Sequence, residues 1–378
     1  MSNKQLAALF ACSLVPWTIG TGLLPLLPVY VTQTGASQSA AGYFLAFCYA
    51  ALALGTAAAG WLSDRFQRRK QMIILVGFAC IPILMLVGQA EDIWVLALLF
   101  GTLFFLGGVV IALVSIIAGL FAGEEERGRV FGILLLTAPV GAIIGGFSTG
   151  YLVDLWGYAT MFSILAAFCL LGPLAALLIQ DKYLQQVERA GDFSTLRNFP
   201  GGYYFLVTAS LVSGAAMFNA VLVRSLEMDT LDFSTAAITG AAAVGSIASI
   251  PLQPLIGRLS DKSGRFPYLV LGYSAGVLGV IVMGFSQQIW QFWLASVLLT
   301  LLISISTSVG SALVTDLVPA VNLGSGMSWF NSTIWIGGII GYASAGYLVQ
   351  NSGAGESLAA AGMVMVISLL LLFPLRGK

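Results

Sequence analysis

A charged loop at the end of a long apolar run occurs twice in this chain. The first copy reads Gly60-Trp61-Leu62-Ser63-Asp64-Arg65-Phe66-Gln67-Arg68-Arg69-Lys70, and the second Gly257-Arg258-Leu259-Ser260-Asp261-Lys262-Ser263-Gly264-Arg265. Glycine, aspartate and the first base recur in register, 197 residues apart in a chain of 378. A loop repeated at half the chain length implies two similar halves.

The runs between charged loops decide the fold class. With 58% hydrophobic residues, 8% charged and no histidine, the chain lies far outside the range of soluble globular proteins. A helix needs about 20 apolar residues to cross a bilayer. Twelve such spans use roughly 240 residues and leave only short connections. Lipid offers the backbone no hydrogen bonds, so each span is helical. The first apolar run is too long for a signal peptide's core and reads as a retained helix. The four cysteines, Cys12, Cys48, Cys80 and Cys169, fall in apolar runs without ligand spacing and read as buried thiols.

The spans expected, to within a few residues, are about 5–32, 39–62, 71–88, 93–121, 130–153 and 160–179 in the first half. In the second half they are about 202–223, 235–259, 268–285, 290–314, 325–349 and 358–373. The chain is thus an all-α membrane protein of two parallel six-helix repeats: a bundle over 1–180, a linker over 181–199 and a bundle over 200–378. Ser148 to Val153 and Ser344 to Val349 match at an offset of 196, as do Gly141 and Gly145 with Gly337 and Gly341. An even number of spans per half makes the repeats parallel.

Charge fixes the expected orientation. With both ends cytoplasmic, 15 of the 16 lysines and arginines fall inside and Arg224 alone falls outside. Asp154, Arg224, Glu227 and Asp229 read as interfacial residues at the outer ends of spans 5 and 7, leaving no ionisable group near the middle of any span. Intramembrane charges mark proton relays and counter-charges of ionic substrates. Without them, a neutral or amphipathic substrate is expected. Thr300, Ser304, Ser308 and Ser311 recur at helical spacing on one face of span 10. With no histidine and no intramembrane aspartate, the usual intramembrane proteases are excluded, and no catalytic residue, metal or cofactor is expected.

These loops resemble the signature of the major facilitator superfamily, G-x-x-x-D-R-x-G-R-R, and the resemblance covers essentially the whole chain. Gly60, Asp64, Arg65, Arg68 and Arg69 match it, with Gln67 in place of the second glycine. Gly257, Asp261, Lys262, Gly264 and Arg265 match in the second copy, with Phe266 at the last basic position. Glu126-Arg127-Gly128-Arg129 is similar to the family's element between spans 4 and 5, and Trp156-Gly157-Tyr158 to the aromatic turn that opens span 6. Two signatures of the proton-antiporter branches are missing: Leu103, not arginine, precedes Gly107-Gly108, and Ala138-Pro139-Val140-Gly141-Ala142 departs from the span 5 pattern.

The resemblance implies a secondary transporter working by alternating access. It implies a cytoplasmic latch in which Asp64, Arg65, Arg68 and their second-half counterparts hold the outward-facing state. A plain positive-inside anchor would account for Arg68, Arg69 and Lys70, but not for an aspartate and a glycine in both copies. Spans 1, 4, 7 and 10 and their partners surround a central cavity in the family, which makes Trp17, Thr21, Asn219, Ser304, Ser308, Asn331 and Trp335 the cavity candidates, with Gln253 and Ser332 beside them. The serines and threonines have a competing role in helix packing and back-bonding. Export of an amphipathic organic molecule is the expected activity. A facilitator or uptake permease for a neutral metabolite such as a sugar is the alternative, and a transport-dead sensor the remote one. The expected partners are the small-molecule substrate, the bilayer and protons as candidate coupling ion. The protein is expected to work as a monomer in the cell membrane, with no nucleic-acid partner.

Overall fold

The computed structural model describes residues 1–122, 126–181, 199–319 and 322–376. Glu124 and Glu125, most of the expected linker with Lys182, Arg189 and Arg197, and Lys378 lie outside the described residues. The described chain is helical throughout: α1 (Asn3–Leu23), α2 (Leu27–Gln33), α3 (Gln38–Phe66), α4 (Arg69–Val87), α5 (Ile93–Phe121), α6 (Arg127–Leu135), α7 (Thr137–Cys169) and α8 (Leu171–Ala176) come first. They are followed by α9 (Gly201–Thr230), α10 (Thr235–Ser263), α11 (Phe266–Gly284), α12 (Ile289–Leu317), α13 (Leu323–Ser352) and α14 (Ala354–Leu370).

Eleven of the described helical segments are long and apolar enough to cross a membrane. One of them, covering 128–176, holds two spans, because Gly157 breaks it with φ 77° and ψ 171°. That makes twelve. Gly353, with φ 93° and ψ 165°, makes the same break between α13 and α14, 196 residues on. Both lie in the left-handed half of the map that glycine enters without a steric penalty. The aromatic turn at Trp156-Gly157-Tyr158 is therefore a reversal between two spans, repeated in the second half without its aromatics.

Prolines account for the other breaks. Span 1 divides into α1 and α2 around Pro25 and Pro28. Span 5 begins as α6 and restarts as α7 at Thr137, where Pro139 has no N–H to give the Leu135 carbonyl. Span 7 is longer than its sequence boundary: α9 runs to Thr230, so Arg224, Glu227 and Asp229 lie on the helix and not beyond it.

The described helices group into two compact units. The first takes in 1–36, 47–187 and 233–243, and the second 37–46, 188–232 and 244–378. Each unit thus holds most of one sequence half and the beginning of a helix from the other.

Within the first unit α1 lies along α7. Without a hydrophobic drive between helices in lipid, close packing of small residues holds them together. A Cβ on Gly141 would stand 2.8 Å from the Thr18 amide nitrogen. The hydroxyls of Ser13 and Thr137 meet at 2.9 Å, and Thr137 also bonds the Leu134 carbonyl at 2.6 Å. The second unit repeats this on α9 and α13. A Cβ on Gly337 would stand 3.0 Å from the Ala215 nitrogen. Ser210 meets Thr333 at 2.9 Å, and Thr333 bonds the Phe330 carbonyl at 2.6 Å. The duplication inferred from loops thus extends to individual buried hydroxyls.

Candidate functional site

The repeated loops sit where α3 gives way to α4, and α10 to α11. In both, the serine one position before the aspartate is buried: Ser63 and Ser260 are each 1% exposed. Each accepts from an arginine later in its loop. Arg69 Nε donates to Ser63 Oγ at 2.6 Å, and Arg265 Nη1 to Ser260 Oγ at 3.0 Å. The arginines are not in register. Arg265 corresponds to Arg68 by sequence, yet Arg69 takes its role, and Phe266 stands where Arg69 would fall.

Each arginine also reaches an acid of its own unit. Arg69 Nη1 lies 3.7 Å from Asp181, whose other oxygen accepts from the Lys70 backbone N–H at 3.1 Å. Arg265 pairs with Asp261, one turn back, and through Nε with Asp316 at the end of α12, at 3.1 Å. Partial burial works against the charge of Arg265, but hydrogen bonds and charge attraction from Asp261 and Asp316 raise its pKa above the usual arginine value.

Asp64, Arg65 and Arg68 are exposed and form no ion pair among the described residues. Arg258 and Lys262 are exposed likewise. Gly60 and Gly257 are half-buried on α3 and α10, each with open space where a Cβ would stand. Gln67, at the family's second glycine, has φ 50°; Gly264, its counterpart, has φ 90°.

The cavity candidates occupy varied surroundings. Trp17 is half-buried on α1 beside Gly141, and Thr21 back-bonds to the Trp17 carbonyl at 2.5 Å. Asn219 is buried, and its oxygen accepts from Ser357 of α14 at 3.1 Å, inside the second unit. Ser304 is buried against Gln253 of α10 at 3.4 Å. Ser308 is half-buried, and its hydroxyl has no hydrogen-bond partner among the described residues. Asn331 is exposed and Trp335 half-buried on α13. Thr300 returns its hydroxyl to the Ser296 carbonyl at 2.8 Å. A small pocket between α9, α12 and α13 is lined by Ser210, Ser213, Met217, Ser306, Thr307 and Phe330, one residue or more away from the predicted face of α12. Among the described residues no cluster of acids and cysteines has the makings of a metal site.

At the helix ends far from the charged loops, two more repeat-related contacts appear. Asp154, on α7, accepts from the first two amides of α10: Thr235 N at 3.0 Å and Ala236 N at 2.8 Å. A carboxylate on the amino end of a helix satisfies orphan donors and complements the dipole. Gln350, 196 residues on, accepts from the Ser39 amide in the first turn of α3 at 3.0 Å. Close glycine contacts lie beneath each cap. A Cβ on Gly146 would stand 2.9 Å from the Thr239 carbonyl oxygen, and one on Gly346 2.7 Å from the Gly42 Cα. Asp154, expected as a plain interfacial acid, is a helix cap.

Arg224 is the clear correction. Read from sequence as an interfacial residue after span 7, it is 3% exposed and lies on α9 itself, and its Nη1 donates to Ser296 of α12 at 2.8 Å. The apolar pattern runs on through Leu222, Val223, Leu226 and Met228, all buried, and that continuation was the available signal. The buried serines had one too, since both copies of the loop carry them. The partnership of Arg69 with Asp181 had none, being set by tertiary contact.

The comparisons with known proteins agree with this architecture. The Major Facilitator Superfamily model matches residues 6–208 and again 204–378. Multidrug resistance protein MdtG of Klebsiella pneumoniae is 29% identical over 292 residues, 73% of this chain and 70% of its own. The same protein of Dickeya zeae is 28% identical over 286 residues, covering 71% and 69%. Among solved structures, a mutant of the nucleoside transporter NupG superposes with a TM-score of 0.81 at 14% identity, over 98% of this chain and 100% of its own. A POT family transporter in complex with 5-aminolevulinic acid gives 0.79 at 15%, over 99% and 96%. Family model, duplicated signature loops and twelve-span repeat coincide over the whole length, and the chain belongs to the major facilitator superfamily.

Proposed function

We propose that the protein is a secondary transporter that exports amphipathic small organic molecules by alternating access. The observation that carries this reading is its similarity, over about 70% of both chains, to proteins named for multidrug resistance. The sequence halves 1–180 and 200–378 are the moving bodies, joined by the polar linker. Both termini and the charged loops face the cytoplasm, where the bases concentrate, in a bacterial inner membrane. Asp64 and Asp261 act as latches: exposed in one state, paired across the halves in the other. The cavity draws on Trp17, Thr21, Ser308, Asn331 and Trp335. Asn219 and Ser304, whose side chains are engaged within the second unit, support its wall.

A facilitator for a neutral metabolite is the second reading. It draws on one observation: no carboxylate lies in the middle of any described span, so a central proton carrier is lacking. One experiment separates the two. Cells overproducing the protein are loaded with lipophilic dyes and with neutral metabolites, with and without an uncoupler, and compared with an Asp64→Asn, Asp261→Asn double variant. Dye depletion abolished by the uncoupler and by the double variant is the expected result. Equilibrating uptake of a metabolite, indifferent to the uncoupler, would replace export with facilitation.

A further inference from the structure

Arg224 is a permanent cation buried in the second unit, with no counter-ion among the described residues. The ion pairs among the described residues are the terminal amine with Glu126, Arg69 with Asp181, and Arg265 with Asp261 and with Asp316. None involves Arg224, and Glu227, the next acid along α9, does not reach it. Guanidinium presents five N–H donors and stays protonated in proteins. Here Nη1 is taken by Ser296 Oγ at 2.8 Å, and Ser296 is itself anchored to the Phe292 carbonyl at 2.7 Å. Nε has no partner. Ser296 of α12 thus fixes one edge of a guanidinium carried by α9 and buried in the second unit.

The free edge is informative. With Nη1 committed to serine, the Nε–Nη2 side remains, the planar pair of donors that engages a carboxylate through two parallel hydrogen bonds. Buried charges persist where they are paired or where they bind something, and a membrane-embedded one marks a substrate path. A glutamine or methionine would fill the same volume without the desolvation of a charge. We infer that Arg224 is a specificity-determining residue that receives the carboxylate of an amphipathic anion carried by this transporter. The inference rests on the transport reading and sharpens its substrate class: anionic amphiphiles are preferred over neutral ones of the same shape.

The test uses a matched pair, naphthaleneacetate and naphthaleneacetamide, both radiolabelled, with the purified full chain in phosphatidylcholine nanodiscs. Equilibrium dialysis should show the acid binding about tenfold or more tighter than the amide. Arg224→Gln should bring the two together by weakening the acid alone. Arg224→Lys, which keeps the charge and loses the fork, should fall between and covers the case in which the glutamine variant does not fold. Equal binding of acid and amide by the wild-type protein overturns the inference, as does an undiminished preference in either variant. So does loss of the preference when phosphatidylglycerol is included in the discs, since the occupant would then be a lipid headgroup. Counterflow of the acid in proteoliposomes is read separately. An Arg224-dependent binding preference without movement would sink the transport reading and leave the anion site standing.

Discussion

Gln67 and Gly264 stand at the same point of the duplicated loop and share the same left-handed backbone, with φ 50° and 90°. The loop turns there from one span into the next, and the turn requires positive φ whatever residue supplies it. Glycine adopts it freely; a side chain with a Cβ costs roughly 1–2 kcal/mol. Gln67→Gly should therefore stabilise the protein by about 1 kcal/mol, and Gly264→Ala should destabilise it by a similar amount. A Cβ on Gly264 would meet nothing within 4 Å, so that cost is in the backbone alone. Thermal unfolding of the two variants in detergent checks both signs. Equal and small effects would remove the account of the turn.

Arg68 and Arg69 are adjacent and should behave differently. Arg69 is 4% exposed, bonded to Ser63 and close to Asp181, while Arg68 is exposed. Arg69→Gln should cost about 2 kcal/mol of stability, the size of a charge-assisted hydrogen bond lost from a buried site. Arg68→Gln should stay within about 0.5 kcal/mol. Melting curves of the two variants, measured side by side, decide it.

Asp64 tests function without stability. It is exposed and has no ion pair among the described residues, so Asp64→Asn should leave the melting temperature unchanged. If it latches one state, turnover should fall about tenfold, the worth of a charge-assisted contact. Transport in proteoliposomes at normal speed would leave the aspartate as an anchor residue.

Asp154 and Gln350 cap α10 and α3 from repeat-related positions, one with a charge and one without. Asp154→Ala should cost about 1 kcal/mol, and Asp154→Asn part of that, because each carboxylate oxygen takes one amide and asparagine has a single acceptor oxygen. Gln350→Ala removes a single bond to the Ser39 amide and should cost less than Asp154→Ala. Hydrogen exchange at the Thr235 and Ala236 amides is the direct readout: both should exchange faster in Asp154→Ala and remain slow in Gln350→Ala.

Gly42 and Gly346 allow α3 and α13 to touch backbone to backbone. A Cβ on Gly42 would stand 2.5 Å from the Tyr342 carbonyl oxygen and 2.7 Å from the Gly346 Cα. Neither is the end of a flexible side chain, so the helices must separate. Gly42→Ala should cost about 2 kcal/mol. Gly355→Ala, at an exposed glycine with open space around its Cβ, is the control and should be neutral within about 0.5 kcal/mol.

Much of this protein was legible in its sequence, because a bilayer leaves the chain few choices. Backbone groups without water must close their hydrogen bonds within a helix, so apolar runs alone give the number of spans and their approximate ends. The repeated Gly-x-x-x-Asp loop and the Gly141/Gly337 and Gly145/Gly341 pairs gave the duplication, since copied contacts constrain copied residues. Trp156-Gly157-Tyr158 resembled the family's turn into span 6, whereas the matching break at Gly353 became visible only in its backbone angles. The tertiary structure decided what distance along the chain hides. Arg69, and not the register-matched Arg68, became the buried arginine, because Asp181 is brought to it from 112 residues away. Asp154 became a cap because α10 starts beside it. Arg224 became a buried cation because α9 continues past its expected end and turns that face toward α12. Composition specifies which segments enter the membrane; which polar groups meet inside is settled by packing.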